Sequence, residues 1–220
     1  GTGTGKTLAY LIPALQAETQ TIVSTATKAL QDQLWTHDLP LAQRVAGTAV
    51  PVALLKGRAN YLCLLSLEEQ VNRPELGVGD KLDRIRTWSR STGSGDIDEL
   101  GAAASADVRR VLTRGTDTCE GRLCPHVDAC WAEKARAAAA RAMIVVTNHH
   151  LWFADAKLRQ VGGEEVTAMP LPDAPVLVLD EGHTLEDAAT SAFAAQIDAE
   201  RAPRILNSVR VRTALAQRNV

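Results

Sequence analysis

The chain has 220 residues, 45% hydrophobic and 23% charged, with 24 Lys and Arg against 26 Asp and Glu. That balance belongs to a globular rather than a disordered sequence, and it carries no overall basic charge, so any nucleic-acid surface has to be a local patch. No apolar run reaches the length of a membrane span and no secretory pattern opens the chain, so the cytoplasm is the expected compartment; its reducing conditions turn the four cysteines away from disulfides and toward metal ligation, catalysis or core packing.

At the amino end, Gly3-Thr4-Gly5-Lys6-Thr7 runs into Leu8, Leu11, Ile12 and Leu15 at helical spacing. Glycines let backbone N–H groups close around phosphates, while Lys6 and Thr7 are spaced to reach the terminal phosphates and the metal. A helix is predicted from Thr7 to Gln16, with Pro13 kinking or shortening it. The full loop pattern wants a small residue five places before Gly5, so the chain is expected to start inside its own phosphate loop, without the preceding strand.

Thr21-Ile22-Val23-Ser24-Thr25 reads as a short buried strand, Lys28 to about Trp35 as helix, and Val50 to Leu55 as a second strand with Pro51 near its start. Met143–Thr147 and Val176–Asp180 are two further strand candidates. Val- and Ile-rich strands alternating with helices indicate an α/β fold: a parallel sheet covered on both faces.

Residues 56–141 differ in character and hold all four cysteines, so they read as an inserted subdomain, mostly helical or irregular. The stretch from Thr92 to Asp96 and on through Ala104 has turn chemistry and little apolar periodicity, which predicts disorder or variability there. The alanine-dense Ala132–Ala142 predicts a helix. Cys119, Cys124 and Cys130 are separated by four and five residues, and 55 residues lie between Cys63 and Cys119. Zinc sites favour pairs of closely spaced cysteines; one plus three with wider gaps is closer in kind to iron–sulfur ligation, with zinc the alternative and His126 a substitute ligand. The surroundings, Asp117-Thr118-Cys119-Glu120 and Cys124-Pro125-His126, are polar and turn-rich, and packing gives a thiol no reason to sit there.

Asp180-Glu181-Gly182-His183 follows the apolar run Val176–Leu179. A buried strand ending in Asp180 would set one carboxylate beside Mg²⁺, and Glu181 would orient or deprotonate the attacking water. Together with the glycine loop, this supplies both halves of an ATP-hydrolysing site. After His183 the chain is expected to be helical, ending in a tail dotted with Arg201, Arg204, Arg210, Arg212 and Arg218.

Gly3–Thr7, Ser24-Thr25-Ala26-Thr27-Lys28-Ala29-Leu30-Gln31-Asp32-Gln33-Leu34, Lys56-Gly57-Arg58-Ala59-Asn60-Tyr61-Leu62-Cys63, the cysteine triplet, Thr147-Asn148-His149-His150-Leu151 and Asp180–His183 together resemble the bacterial DinG branch of the superfamily 2 iron–sulfur helicases, relatives of XPD. The resemblance implies a RecA-like motor domain in residues 1–55 and 142–190, an iron–sulfur insertion in 56–141, and the start of an Arch-like helical insertion in 191–220. It implies an ATP-dependent 5′-3′ DNA helicase of repair or replication, acting on single-stranded DNA and duplex junctions, with ATP, Mg²⁺ and a [4Fe–4S] cluster held by Cys63, Cys119, Cys124 and Cys130. Gly3, Thr4, Gly5, Lys6 and Thr7 would bind the nucleotide, with Mg²⁺ at Thr7 and Asp180. Lys6, Asp180, Glu181 and His183 would serve catalysis, His183 linking nucleotide state to DNA movement in this DEAH-type box. Thr25 and Thr27 would touch DNA phosphates, Arg58 a phosphate, and Tyr61 a base or the cluster. For the two threonines the competing reading is capping of the next helix. The motifs of a second motor domain are not in this sequence, so residues 1–220 alone are expected to hydrolyse little ATP, and the expected location is cytoplasmic, at the nucleoid. Two other readings stay open: a nucleotide-gated nucleic-acid-binding module with structural zinc, and an RNA-directed translocase.

Overall fold

The computed structural model describes residues 5–73, 78–161 and 170–194, which form two units: 5–56 with 135–194, and 57–134. Gly3 and Thr4 of the predicted loop, and residues 195–220 of the predicted Arch-like segment, lie outside the described residues.

The first unit is built on a four-stranded parallel sheet. Its strands are β1 (Thr21–Thr25), β2 (Val52–Leu54), β3 (Ile144–Asn148) and β4 (Val176–Leu179), in the spatial order β2-β3-β1-β4. Every residue of β1 and β3 is buried, as a sheet covered on both faces requires. Side chains alternate between the faces. Val23, Ile144 and Val146 join Leu11, Leu15, Leu34 and Leu39 in one core, while Ile22 and Val145 join Ala53, Leu55, Ala139 and Leu171 in the other. The parallel register pairs Ile22 with Val145 and Val23 with Val146, so each cross-strand pair falls in one layer.

Helix α1 (Lys6–Gln16) begins directly at Gly5 and runs through Pro13 without ending there. Pro13 is on the exposed face, where water can take up the carbonyl whose helical partner is missing, so the expected shortening does not occur. Next come α2 (Lys28–Gln33), a π-helical turn at Leu34–Asp38, and α3 (Leu39–Ala46), which carry the predicted helix further than Trp35. Two helices flank β4 in sequence: α8 (His149–Val161) and α9 (Leu185–Phe193).

The second unit contains α4 (Leu64–Asn72), α5 (Leu82–Ser91) and α6 (Ala106–Leu112), with 3₁₀ turns between them and the start of α7 (Trp131–Arg141). It has its own apolar core, in which Leu62, Val78, Ile85, Ile97, Val108 and Leu112 are among the buried side chains and Trp88 and Trp131 pack at the edge. One expectation is corrected here. The segment expected to be disordered or variable forms 3₁₀ turns within Ile97–Ala103, broken at Gly101 (φ 55, ψ -126), with Ile97, Leu100 and Ala103 buried. Ile97 and Leu100 follow the three-residue period of a 3₁₀ turn, which a search for 3.6 or 2.0 periodicity passes over. The segment's polar residues bond locally: Thr92 Oγ1 accepts from Gly95 N at 2.9 Å, and the Glu99 carboxylate accepts from Thr92 Oγ1 at 2.8 Å and Trp88 Nε1 at 3.1 Å.

Gly95 has φ +66, and a Cβ there would lie 2.1 Å from Trp131 Cγ. Gly95→Ala is therefore expected to destabilise the second unit by about 2–4 kcal/mol, from a left-handed backbone and an overpacked indole together. A thermal melt with Trp fluorescence checks this, and an unchanged midpoint would contradict the packing.

Candidate nucleotide site and cysteine concavity

Sheet order decides the site's geometry. β4 lies beside β1, and Asp180 N donates to Ser24 O at 2.9 Å just past the last paired residue of β4, so the acidic pair emerges at the carboxyl end of the sheet. Gly5, at φ +75 in the left-handed region that glycine enters without a Cβ clash, turns the chain into α1. No acidic residue occupies the first turn of α1, whose free N–H groups and dipole favour an anion.

These elements bring Lys6 Nζ to 3.6 Å from Glu181 Oε1. The pair is loose, with the lysine more than half exposed, so a phosphate can separate it at a cost of no more than about 1 kcal/mol. The Asp180 carboxylate is held at both oxygens: Oδ1 accepts from Glu181 N at 3.1 Å and Oδ2 from Tyr10 OH at 3.2 Å. Tyr10 was not singled out in the sequence, although its place one helical turn after Lys6 puts it on the same face of α1. Burial and the nearby Asp180 charge raise its pKa far above the ordinary phenol value, so the hydroxyl stays a donor. Glu181 has φ 55 and ψ 46, a left-handed conformation that a residue with a Cβ rarely takes. His183 is exposed, with Nδ1 3.4 Å from Glu181 Oε2. Thr7 is half-buried in the first turn of α1.

Two predicted contacts to nucleic acid change character. Thr25 is only 1% exposed and its hydroxyl donates to Thr27 O at 3.2 Å, so as the end of a buried strand it turns inward rather than toward a ligand. Thr27 is exposed and caps α2, its Oγ1 accepting from Leu30 N at 3.2 Å.

In the second unit, Cys63, Cys119, Cys124 and Cys130 line one concavity with Arg58, Tyr61, Arg114 and His126, and all four are free thiols. On the sequence alone the four are assigned to one metal site, and the fold brings them to one concavity across more than fifty residues. Among the described residues no group of three or more His, Cys, Asp or Glu side chains is arranged to hold a metal ion. Tetrahedral zinc would need its thiolates about 4 Å apart around a single point. Burial pushes the Cys124 thiol above its ordinary pKa, and the other three cysteines add to the rise. Arg58 Nη2 pairs with Glu133 Oε1 at 2.5 Å while Nη1 lies 4.0 Å from Cys130 Sγ. Burial works against that guanidinium's charge, but Glu133, Cys119 and Cys130 outweigh it and its pKa is raised. Tyr61 is 5% exposed and Arg58 is committed to Glu133, so the ring has no free face for a base and Arg58 already has an anionic partner. His126 is bonded instead to Glu68, Nε2 to Oε2, at 2.8 Å.

No protein-family model matches the chain. Among curated proteins it is 42% identical, over 88% of its length, to a Haemophilus influenzae protein named ATP-dependent DNA helicase YoaA, of which it covers 30%. It is 37% identical, over 90% of its length, to the Mycobacterium tuberculosis ATP-dependent helicase DinG, covering 32% of that protein. The Bacillus subtilis protein named 3′-5′ exonuclease DinG is 31% identical over 86% of the chain, with 20% of the relative covered. The chain thus spans at most about a third of the length of these three relatives. Among the described residues no helix is long and apolar enough to cross a membrane.

Proposed function

The chain belongs with the DinG-type helicases, and from that premise we propose that its protein is an ATP-dependent DNA helicase, moving 5′ to 3′ on single-stranded DNA, with this chain as the nucleotide-holding part of its first motor domain. The observation that carries the reading is the meeting of Lys6, in the first turn of α1, with the Asp180-Glu181 turn just past β4, which are the two halves of the proposed phosphoryl-transfer site. Gly5 and the first turn of α1 offer N–H groups to phosphate, and Gly3 and Thr4, outside the described residues, are assigned to the same nucleotide by the sequence pattern alone. Lys6 would neutralise the terminal phosphates, and Thr7 and Asp180 would hold Mg²⁺, which when bound would supply charge stabilisation at the transferred group. Glu181 takes the proton of the attacking water. His183, exposed beside Glu181, is placed to report nucleotide state to the rest of the motor. Thr27, with the backbone around it, is the candidate for a DNA phosphate contact; Thr25 serves the fold, and Arg58, paired with Glu133 beside Cys130, serves the cysteine concavity.

Cys63, Cys119, Cys124 and Cys130 would hold a [4Fe–4S] cluster, one thiolate per iron. Four thiols on one concavity are the donor set such a cluster takes, with Arg58 at Cys130 to offset the negative charge of bound thiolates. Tyr61 packs in that wall rather than against a base.

The test is made on the full-length protein. DNA-stimulated ATP hydrolysis, unwinding of a duplex with a 5′ tail in preference to a 3′ tail, and four iron and four labile sulfide per chain are expected. Zinc in place of iron, or stimulation by RNA with none by DNA, would replace this reading.

A further inference from the structure

His149 is the first residue of α8 and is fully buried. Its Nε2 lies 2.9 Å from the backbone oxygen of Asp180, and its Nδ1 lies 2.8 Å from Ser24 Oγ. A carbonyl can only accept, so Nε2 carries the proton; Nδ1 is then the acceptor, and the Ser24 hydroxyl donates to it. Ser24 O in turn accepts from Asp180 N at 2.9 Å. Three bonds thus close a ring: Asp180 N to Ser24 O, Ser24 Oγ to His149 Nδ1, and His149 Nε2 to Asp180 O. Burial, with the neighbouring His150, lowers the pKa of His149 against the Asp180 carbonyl and carboxylate that raise it, a direction that favours the neutral ring this bonding uses.

The bond to Asp180 O has a mechanical consequence. That oxygen belongs to the peptide joining Asp180 to Glu181, and Glu181 is the residue held at φ 55. Fixing the plane of this peptide fixes the direction from which the Glu181 side chain leaves the strand end. A left-handed residue persists only where its surroundings over-determine it. Asn148, the neighbour of His149, anchors the same junction from the other side: its Oδ1 accepts from Leu151 N at 3.0 Å and its Nδ2 donates to Gln31 Oε1 at 3.3 Å, while Gln31 Nε2 donates to Leu55 O at 3.0 Å. The junction from which His149 reaches across is therefore rigid.

We propose that His149 is a positioning residue for ATP hydrolysis: through its Nε2–H bond to the Asp180 carbonyl it holds the Asp180-Glu181 turn in its reactive geometry, and through Ser24 it ties that turn to the end of β1. It touches neither phosphate nor water, and the proposal rests on the reading of Glu181 as the base. The variants are His149→Leu, which removes both bonds at similar volume, His149→Gln, whose amide N–H can reach the same carbonyl, and Ser24→Ala, which removes the hydroxyl donating to Nδ1. In the full-length protein, His149→Leu is expected to lower kcat about tenfold or more with KM for ATP within about twofold, His149→Gln to recover much of that loss, and Ser24→Ala to lower kcat to a smaller extent. In ¹⁵N-histidine-labelled protein the ring should report the neutral Nε2–H tautomer.

A His149→Leu protein with kcat near the parent value overturns the proposal. So does a folded His149→Gln protein as slow as the leucine variant, or an Nδ1–H tautomer. If His149→Leu does not fold, an undiminished kcat in Ser24→Ala overturns it. Failure of the functional reading looks different: the parent protein itself then hydrolyses no ATP, while the tautomer still decides whether the ring of bonds exists.

Discussion

Glu181→Gln in the full-length protein is expected to slow DNA-stimulated ATP hydrolysis by about 10²–10⁴-fold and to leave nucleotide affinity nearly unchanged. Glutamine keeps the shape of the side chain and can still face Lys6, but it cannot take a proton from water. The ion pair it loses is the loose, half-exposed one with Lys6, which contributes little to folding. Lys6→Ala is expected to act differently. It removes the one cation placed at the start of α1, and a charged contact to phosphate of this kind contributes about 1.5–3 kcal/mol, so nucleotide affinity should fall about ten- to 150-fold. Equilibrium binding of a non-hydrolysed ATP analogue, measured beside turnover, separates the two. Equal affinity losses in the two variants would reverse the assignment of binder and base.

Cys124→Ser is expected to abolish strand separation while much of the DNA-stimulated ATP hydrolysis remains. The cysteines belong to a different compact unit from Lys6 and Glu181, and the phosphate chemistry proposed above uses none of the thiols. A cluster bound by all four would staple Cys63 to a triplet beginning 56 positions further on and stiffen this unit, which on the proposed reading parts the duplex. That unit also has a buried apolar core of its own. Val78, Ile85, Ile97 and Leu112 pack without help from the thiols, so losing the cluster should loosen the cysteine region rather than unfold the unit, and the motor should keep its activity. Unwinding and hydrolysis are measured on the same purified variant, with iron content as the control. Unwinding at the parent rate by an iron-free variant would refute the role of the cluster, and equal loss of both activities would show that the unit also supports the motor fold.

What the sequence by itself determined is what neighbouring residues decide. The apolar runs Ile22-Val23 and Val145-Val146 had to be buried parallel strands, Gly5 before Lys6 had to be a tight turn into a helix, and Asp180-Glu181 had to sit at a strand end, because each follows from side-chain period and backbone sterics over a few residues; Val176–Leu179 is a strand as expected but not a buried one, since it ends the sheet order and among the described residues is exposed or half-buried. The resemblance of the spaced motifs to one helicase branch added which chemistry those ends serve. Tertiary structure alone decided which ends meet. The order β2-β3-β1-β4 sets β4 beside β1 and so brings Tyr10 to Asp180 across 170 positions and His149 between Ser24 and the Asp180 carbonyl. No local pattern marks such partners, since a tyrosine on a helix and a histidine after a strand look the same whether they face solvent or a carboxylate. The same holds for Thr25 and Tyr61, polar enough to read as contacts for DNA and buried by the fold, and for Ile97, Leu100 and Ala103, whose three-residue spacing becomes a core only where α4, α5 and α6 supply its other walls. Burial is a property of what arrives from elsewhere in the chain, and that is settled by packing rather than by period.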